Sequence, residues 1–436
     1  MINEADGFMG AITASQSVKG LKAMINGPGG CRSRAMNFLR ETLIEYRGDD
    51  SCCCKSKYMS RVSMLPCTHL NADDIILGSG SKITDGIKSV ISSTQSDVVL
   101  IDTLGASVQV VDREQAVQES GFADKVILSH DDLSDFSFAE GFDNTMMRIV
   151  AHYVKDKRSS EKLKVNILGY TQVDRSWDYG KMEIARILDY LGLEIVTFVG
   201  CDCTVQELKE SASASLNILI HPEYSIQTAK WYEQELGIPY LVPSEGTPIG
   251  FDSIRSFIRE ISEKLGIDNA LAMEAVDYEE RKVFMIIQNY DKFANGLRGS
   301  SAAFCGLESD VVPIMKLVYE YFNVAPRSVV LRGENGSLAF GKALTYLSEI
   351  NFAESLGKPV SPRNLSLYFT DGLTAEGYRD SNPSVNCIGI MFPYPDTVPF
   401  ADRCLIGFSG TRNLLDQIMN GMKRFTCGQP TPADFR

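Results

Sequence analysis

Short runs of apolar residues alternate with amphipathic stretches along most of the chain, and this pattern predicts parallel strands separated by helices. Asp97–Thr103 and Lys164–Tyr170 are such runs, and each ends at a turn that contains glycine. Further strands are predicted at Leu193–Val199, Leu216–Ile220, Ser301–Phe304 and Ser328–Leu331, with helices at Lys82–Ser92, Asp178–Leu191, Ser225–Leu236 and Asp310–Tyr321. The repeated βαβ units indicate an α/β protein.

The βαβ pattern occurs three times, which predicts three Rossmann-like parallel-sheet domains in series around a central cleft. We expect domain I at residues 1–160, domain II at 161–265, and domain III with a helical linker and a C-terminal helix at 266–436. The linkers are the charged stretch Lys155–Lys162 and the helical stretch Asp252–Lys292. Ligands of such sheets bind at the carboxyl ends of the strands.

The first domain is less regular than the other two. Gly10–Met24 mixes small and apolar residues and is predicted to be a helix that leads into a turn, with a second helix at Arg32–Tyr46. Asp73–Gly80 is predicted to be a short buried strand that ends in a glycine-rich turn. Gly78–Lys82 lacks the spacing of a P-loop, so any ATP would be bound by another chain.

The turn Asn26-Gly27-Pro28-Gly29-Gly30-Cys31 is the most informative stretch of the chain. Glycine lets the backbone approach a bulky object, and proline sets the turn in advance. A thiolate at the tip of such a turn can reach an inorganic cluster. The alternative is an ordinary turn that ends in a buried cysteine, since free cysteine is among the most buried residue types.

The composition of the chain limits the classes of function that it can have. The 436 residues carry a formal net charge of −13 without a long basic run, which makes nucleic acid an unexpected partner. No apolar run of transmembrane length and no signal-peptide pattern are present, so we expect a cytoplasmic protein without a membrane partner. The 11 cysteines include no Cys-x-x-Cys pair. They favour metal or redox use of some thiols in a reducing compartment, by a cluster that gathers distant ligands or is shared with another chain.

Several other side chains are weaker candidates for ligands. Cys52-Cys53-Cys54 lies in a polar segment, and neighbouring side chains diverge, so at most one or two of these thiols could bind metal. Cys201 and Cys203 are expected to be structural, because thiols one residue apart point away from each other in extended backbone. His221 is predicted at a strand end that faces a cleft, so it is kept as a minor candidate for a functional residue. The remaining histidines are interpreted as ordinary.

The order of these features resembles the nitrogenase component 1 family, which includes dinitrogenase and nitrogenase-like reductases. The stretch 24–31 is similar to the family's cluster-binding turn, and Val165–Gly169 to the opening strand of its second domain. Gly237–Gly250, Arg403–Cys404 and Gly407–Gly410 resemble the β-type subunit. The resemblance covers nearly the whole chain.

The resemblance implies an iron–sulfur cluster at the interface with a homologous α-type chain, in an α2β2 assembly that takes electrons from an ATP-hydrolysing iron protein. The eight-iron, P-type cluster of dinitrogenase uses three cysteines from each chain, whereas this sequence keeps only Cys31. Asp6 lies near the missing first cysteine, and Gly105 stands at the third position. This pattern is similar to the β-like chain of the cofactor-assembly scaffold and favours a 4Fe-4S cluster with one ligand from this chain.

The resemblance therefore predicts Cys31 as the iron ligand and Gly29, Gly30 and Gly105 as cofactor-contacting positions. Asp6 is a further candidate ligand, because some tetrapyrrole reductases of the family use an aspartate, and Cys53 and Cys67 are candidate replacement ligands. A larger iron–sulfur cofactor would be held mainly by the partner chain, since the cofactor-anchoring cysteine and histidine of the dinitrogenase α chain have no counterpart here.

The expected function is that of a β-type subunit that relays electrons for a reduction or for metallocofactor maturation. Two alternatives stay open at this point. One is a homodimeric nitrogenase-like reductase that acts on a tetrapyrrole or a carbon–sulfur bond. The other is a cluster-free Rossmann-repeat protein that binds a small ligand. The catalytic residues and the substrate do not follow from the sequence.

Overall fold

The computed structural model describes residues 5–42, 65–103, 113–130, 133, 135–158, 162–290, 295–332, 341–361, 365–394 and 401–426. The chain divides into two compact units. Unit 1 comprises Met1–Lys157 and Gly200–Ala212, and unit 2 comprises Arg158–Val199 and Ser213–Arg436. No helix in the described ranges is long and apolar enough to span a membrane.

Unit 1 contains a three-stranded parallel sheet with the strand order β2-β3-β4 and a two-stranded parallel pair of β1 and β7. Its elements are α1 (Gly7–Gln16), β1 (Val18–Lys19), β2 (Leu21–Asn26), α2 (Gly29–Thr42), α3 (Ala72–Leu77), α4 (Gly80–Thr94), β3 (Asp97–Asp102), α5 (Arg113–Ser120), β4 (Val126–Leu128), α6 (Phe138–Tyr153), β7 (Cys203–Thr204) and α8 (Val205–Glu210).

Two glycine contacts hold α1 against α6. A Cβ atom added at Gly10 would lie 2.1 Å from the carbonyl oxygen of Phe138, and one added at Gly141 would lie 2.1 Å from the carbonyl oxygen of Gly7. Only glycine permits backbones to approach this closely. On the sheet, the apolar face of α4 packs with β3 into one buried cluster that includes Ile87 and Leu100.

Unit 2 contains two four-stranded parallel sheets, with the strand orders β6-β5-β8-β9 and β11-β10-β12-β13. Its elements are β5 (Lys164–Leu168), α7 (Trp177–Tyr190), β6 (Glu194–Val199), β8 (Leu216–Leu219), α9 (Ile226–Leu236), β9 (Tyr240–Leu241), α10 (Phe251–Leu265), α11 (Ala270–Asn289), β10 (Ser301–Leu307), α12 (Glu308–Phe322), β11 (Ala325–Arg332), α13 (Lys342–Glu349), β12 (Leu365–Asp371), α14 (Gly372–Ser381), β13 (Asn386–Met391) and α15 (Gly407–Thr426).

The α/β class with several parallel sheets is confirmed, and the strands and helices predicted in unit 2 are present. Two predictions in unit 1 were wrong. The helix expected at Gly10–Met24 ends at Gln16, and Leu21–Asn26 forms β2, because this run pairs residue by residue with β3. The strand expected at Asp73–Gly80 is the helix α3, which begins at a capping box between Asn71 and Asp74.

Candidate functional site

The candidate site of unit 1 lies at the carboxyl end of β2, where a short turn leads into α2. Asn26 is the last residue of β2, and α2 begins at Gly29, directly after Gly27 and Pro28. The backbone N–H of Cys31 donates to the carbonyl oxygen of Pro28 at 3.1 Å, which places Cys31 in the first turn of α2. The N-terminal end of a helix stabilises a thiolate through its unpaired N–H groups and its dipole.

Residues 66–70 run alongside this turn and fix its shape. The N–H of Ile25 donates to the carbonyl oxygen of Pro66 at 2.8 Å, and the N–H of Thr68 donates back to the carbonyl oxygen of Ile25 at 3.0 Å. The N–H of Gly27 donates to the Thr68 hydroxyl oxygen at 3.0 Å. The turn is therefore held by a second segment that lies more than thirty residues further along the chain.

This segment brings a second thiol to the turn. The Sγ atom of Cys67 donates to the carbonyl oxygen of Gly27 at 3.2 Å and accepts from the N–H of His69 at 3.4 Å. Burial raises the pKa of the Cys67 thiol, the His69 N–H and Arg32 lower it, and Cys31 raises it again. Cys31 and Cys67 are therefore electrostatic neighbours at one turn.

The two glycines before Cys31 have different surroundings. A Cβ atom added at Gly29 would lie 3.0 Å from Nδ1 of His69, whereas one added at Gly30 would meet no atom within 4 Å. A side chain at Gly29 would therefore be in tight contact with the His69 ring. His69 itself has a left-handed backbone with a φ of +51°. Gly30, the residue directly before Cys31, is exposed.

Asp6 lies close to α2, but both of its carboxylate oxygens have partners. Oδ1 caps α1 by accepting from the N–H of Met9 at 3.2 Å. Oδ2 accepts from Nη1 of Arg34 at 2.8 Å, one turn beyond Cys31 on α2. These contacts explain Asp6 as a helix cap and as an ion-pair partner that ties α1 to α2.

Some predicted positions of the site cannot be placed, and most of the other cysteines are buried. Gly105 and Cys53, with its neighbours Cys52 and Cys54, lie outside the described residues. Of the cysteines that the structure describes, Cys31 and Cys67 are half-buried, and the remaining members are buried: Cys201, Cys203, Cys305, Cys387 and Cys404. Burial raises the pKa values of the Cys305 and Cys404 thiols and that of Cys387 to about 11, which makes them inert structural thiols.

An iron–sulfur cluster fits the donor chemistry of the turn. Thiolates are the usual protein ligands of such clusters, and Cys31 directly follows Gly30, where an added Cβ atom would meet no atom within 4 Å. Within the described ranges, no group of three or more His, Cys, Asp or Glu side chains is arranged to hold a metal ion.

Unit 2 has its own polar centre, which the sequence pattern indicated only through the position of His221. This residue follows β8 and is buried. Its Nε2 lies 3.0 Å from Oδ1 of Asp174, and its Nδ1 lies 3.0 Å from the hydroxyl of Ser309 and 3.7 Å from Oδ1 of Asp310. The partners follow the carboxyl ends of β5 and β10, so parallel strands of both sheets converge here.

The hydrogen bonds determine the protonation state of His221. Ser309 donates its hydroxyl proton to Glu223 at 2.9 Å, so it must accept the bond from Nδ1 of His221. Nε2 faces a carboxylate and must also donate. Burial alone lowers the pKa of His221, but Asp310 and Asp174 outweigh this effect and raise it to about 10. The ring is therefore an imidazolium at neutral pH.

The surroundings of His221 leave little room for a ligand. Burial raises the pKa of Asp310 to about 6, against the opposing effect of His221. A cavity of about 10 Å³ lies beside His221 and Asp174 and is also lined by Arg175 and Tyr394. This volume corresponds to about one water molecule. The hydrogen-bonded side chains around His221 are suited to join the two sheets of unit 2 through ionic hydrogen bonds rather than to bind an organic substrate.

Comparison with known proteins identifies the family. Residues 7–423 match the model of the nitrogenase component 1 type oxidoreductases. The chain belongs to this family. The resemblance inferred from the turn at Cys31 and from the order of the βαβ units is thereby confirmed.

The similar curated proteins are the B subunits of light-independent protochlorophyllide reductases. The chain is 22% identical to the one from Nostoc punctiforme, over 96% of this chain and 82% of that protein. It is 25% identical to the one from Gloeothece citriformis, over 96% and 82%. The solved structure "Nitrogenase Cp1 at pH 6.5" superposes with a TM-score of 0.78 at 17% identity, over 99% of this chain and 95% of the other. Membership of the family implies iron–sulfur chemistry and a partner subunit.

Proposed function

We propose that this chain is the β-type subunit of a nitrogenase-like oxidoreductase and that Cys31 ligates an iron–sulfur cluster shared with an α-type subunit. The observation that carries the proposal is the position of Cys31, which is half-buried in the first turn of α2 and directly follows the exposed Gly30. A 4Fe-4S cluster is favoured over the eight-iron, P-type cluster, because Asp6 and Gly105 stand where two further cysteines would be required.

A cluster held at this turn would accept and pass on single electrons. The protein's part is to hold the iron through Cys31 and to keep the turn rigid. Thr68 and Pro66 do this through backbone and hydroxyl hydrogen bonds to the turn and to β2. The Gly29–Gly30 pair keeps the backbone close to the bound group.

The other candidate ligands have weaker support. Cys67 is placed to support the turn, because its thiol donates to the Gly27 carbonyl oxygen, and it would have to give up this bond to ligate iron. Asp6 would have to give up its bonds to Met9 and Arg34. Cys53 stays a candidate from the sequence alone.

The proposed assembly is an α2β2 complex in the cytoplasm that takes electrons from an ATP-hydrolysing iron protein. A larger iron–sulfur cofactor, if one is used, would be held mainly by the α-type chain. The proposed domains are residues 1–160, 161–265 and 266–436, which is supported by one larger parallel sheet in each.

The relatives named above reduce protochlorophyllide, so a reductase is favoured over a maturation scaffold. Their designation as B subunits also does not favour the homodimeric alternative. We propose an unsaturated organic molecule as the substrate class, with a tetrapyrrole as the first compound to test.

The test is an anaerobic iron and sulfide count with an EPR spectrum of the dithionite-reduced protein, co-expressed with its α-type partner. Wild type is compared with Cys31→Ala and with the control Asn37→Ala, which changes an exposed side chain further along the same helix. We expect iron in wild type and Asn37→Ala and its loss, or an altered spectrum, in Cys31→Ala. A wild-type complex that stays free of iron after reconstitution with iron and sulfide would overturn the proposal and favour a cluster-free binding protein.

A further inference from the structure

The outward face of α11 carries a regular row of large apolar side chains. Leu271, Tyr278 and Met285 follow one another at seven-residue intervals and are 60%, 56% and 64% exposed. Half of the large apolar side chains that are exposed in the described part of the chain lie between residues 271 and 290. The opposite face of α11 is the one that packs against unit 2, through Ala272, Val276, Glu279 and Val283.

An exposed helix face is normally polar, so a helix with apolar residues on both faces indicates a second packing partner. The row spans about 21 Å at 1.5 Å per residue. Phe284 and Ile286, at 50% and 57% exposure, widen it at the Met285 end. The ammonium group of Lys282 lies 4.6 Å from the centre of the Tyr278 ring and covers one side of it.

Two charged residues of opposite sign lie between the apolar members of this row. Glu274 follows Leu271 by three residues, and Arg281 follows Tyr278 by three residues. Both are exposed, and neither makes an ion pair or a side-chain hydrogen bond with any residue that the structure describes. Their positions are nearly symmetrical about Tyr278, with the negative charge toward the start of α11 and the positive charge toward its end.

We propose that this face, consisting of Leu271, Glu274, Tyr278, Arg281 and Met285, binds the same face of a second copy of the chain with the two helices antiparallel. A two-fold axis near Tyr278 places Leu271 of each copy opposite Met285 of the other. It also places Glu274 of each copy opposite Arg281 of the other, so that one geometry matches both the apolar residues and the charges. The contact is isologous and closes after two copies.

A parallel pair does not fit these residues. It would place Glu274 beside Glu274 of the other copy and Arg281 beside Arg281 of the other copy, and like charges in contact are unfavourable.

The area that one pair of helices buries is smaller than the roughly 1,000 Å² expected of a stable interface. This contact therefore joins two copies weakly by itself, and it adds to whatever other surfaces the complete assembly buries. The proposal does not depend on the cluster at Cys31.

Cysteine cross-linking in the full-length protein tests the geometry, with or without its partner chain. Tyr278→Cys lies at the axis and should cross-link to its own copy well above the wild-type background of native thiols. Leu271→Cys alone should not cross-link, whereas a mixture of Leu271→Cys and Met285→Cys, carried on chains with different tags, should form the mixed product. Leu344→Cys, an exposed leucine on α13, is the matched control and should stay at background.

Charge exchange tests the same contact independently, with the tendency to self-associate measured by analytical ultracentrifugation. Glu274→Lys places like charges opposite each other at two symmetrical points and should weaken self-association about tenfold. The double variant Glu274→Lys with Arg281→Glu restores the opposite charges and should recover it. Cross-linking of Leu271→Cys to itself, no cross-linking of Tyr278→Cys above background, or no recovery in the double variant would each overturn the proposal.

Discussion

The Sγ atom of Cys67 lies 3.2 Å from the carbonyl oxygen of Gly27, the residue that opens the turn before Cys31. The sequence places these cysteines thirty-six residues apart, and the parallel bridge between Ile25 and Cys67 brings the second one to the turn. The contact gives Cys67 a structural task that can be separated by mutation from a role as an iron ligand.

Replacing Cys67 by serine and by alanine separates these two roles. A serine hydroxyl can still donate to the Gly27 carbonyl oxygen but is a poor ligand for iron, so Cys67→Ser should retain the wild-type iron content. Cys67→Ala leaves the carbonyl group without its thiol partner and should lower the free energy of unfolding by about 1 kcal/mol. Iron analysis and urea unfolding check both expectations. Loss of iron in Cys67→Ser with Cys31 intact would assign Cys67 as a ligand instead.

Asp6 offers a similar separation. Asp6→Asn can still cap α1 but loses the ion pair with Arg34, which is partly exposed and is worth less than about 1 kcal/mol. Asp6→Ala also loses the cap and should cost about 1 kcal/mol more. Thermal unfolding measures the two steps. An EPR spectrum that changes in Asp6→Asn would show that the carboxylate reaches the cluster.

The charged state of His221 predicts a pH dependence of stability. The pKa of His221 rises from 6.5 to about 10 on folding, so its proton stabilises the fold fully below about pH 6.5. This contribution is lost as the pH rises toward 10. We therefore expect His221→Gln to cost roughly 3–5 kcal/mol at pH 6.5, because it leaves Asp174 and Asp310 without their cation, and distinctly less at pH 9.5.

Urea unfolding of wild type and variant at the two pH values measures this difference. Gln118→Ala, which changes an exposed, uncharged side chain on α5, is the control for the general effect of pH. A cost for His221→Gln that is the same at both pH values would mean that the ring is neutral in the folded protein.

Two glycine substitutions, one at the contact between α1 and α6 and one on α14, should have opposite effects on stability. Gly10→Ala would place a methyl group 2.1 Å from the Phe138 carbonyl oxygen, and a backbone group has little room to move. It should destabilise the protein by about 3 kcal/mol. Gly377→Ala lies on the exposed side of α14 with no atom within 4 Å of the added carbon. It should stabilise by up to about 1 kcal/mol, because alanine is the better helix former. The midpoints of thermal unfolding should therefore move in opposite directions.

Apolar periodicity was sufficient for the strands and helices that were predicted in unit 2, because buried parallel strands are short apolar runs between amphipathic helices. It did not lead to a prediction of β12 or β13. It failed at Asp73–Gly80, where Ile76 and Leu77 look like a buried strand but are 79% and 84% exposed. The missed signal was local. The Asn71 side chain accepts from the N–H of Asp74 at 2.9 Å, and the Asp74 carboxylate accepts from the N–H of Asn71 at 2.7 Å. This capping box starts a helix.

The candidate site was predictable in part. Glycines directly before a cysteine pointed to the turn at Cys31, since that chemistry is local. The contact with Cys67 was not predictable, because it depends on a bridge between distant segments. His221 stood alone in the sequence, and its partners Asp174 and Ser309 are brought to it only by the convergence of separate strands.

The division of the chain has a consequence for its synthesis. Unit 1 needs residues 200–212, yet the chain first passes through 158–199, which belong to unit 2. A growing polypeptide cannot complete its first unit until residue 212 has left the ribosome, by which time β5, α7 and β6 have already emerged. A fragment that stops at residue 157 would leave β1 without β7, which pairs Val18 with Cys203. The N-terminal region is therefore not a module that can be cut out and expressed intact.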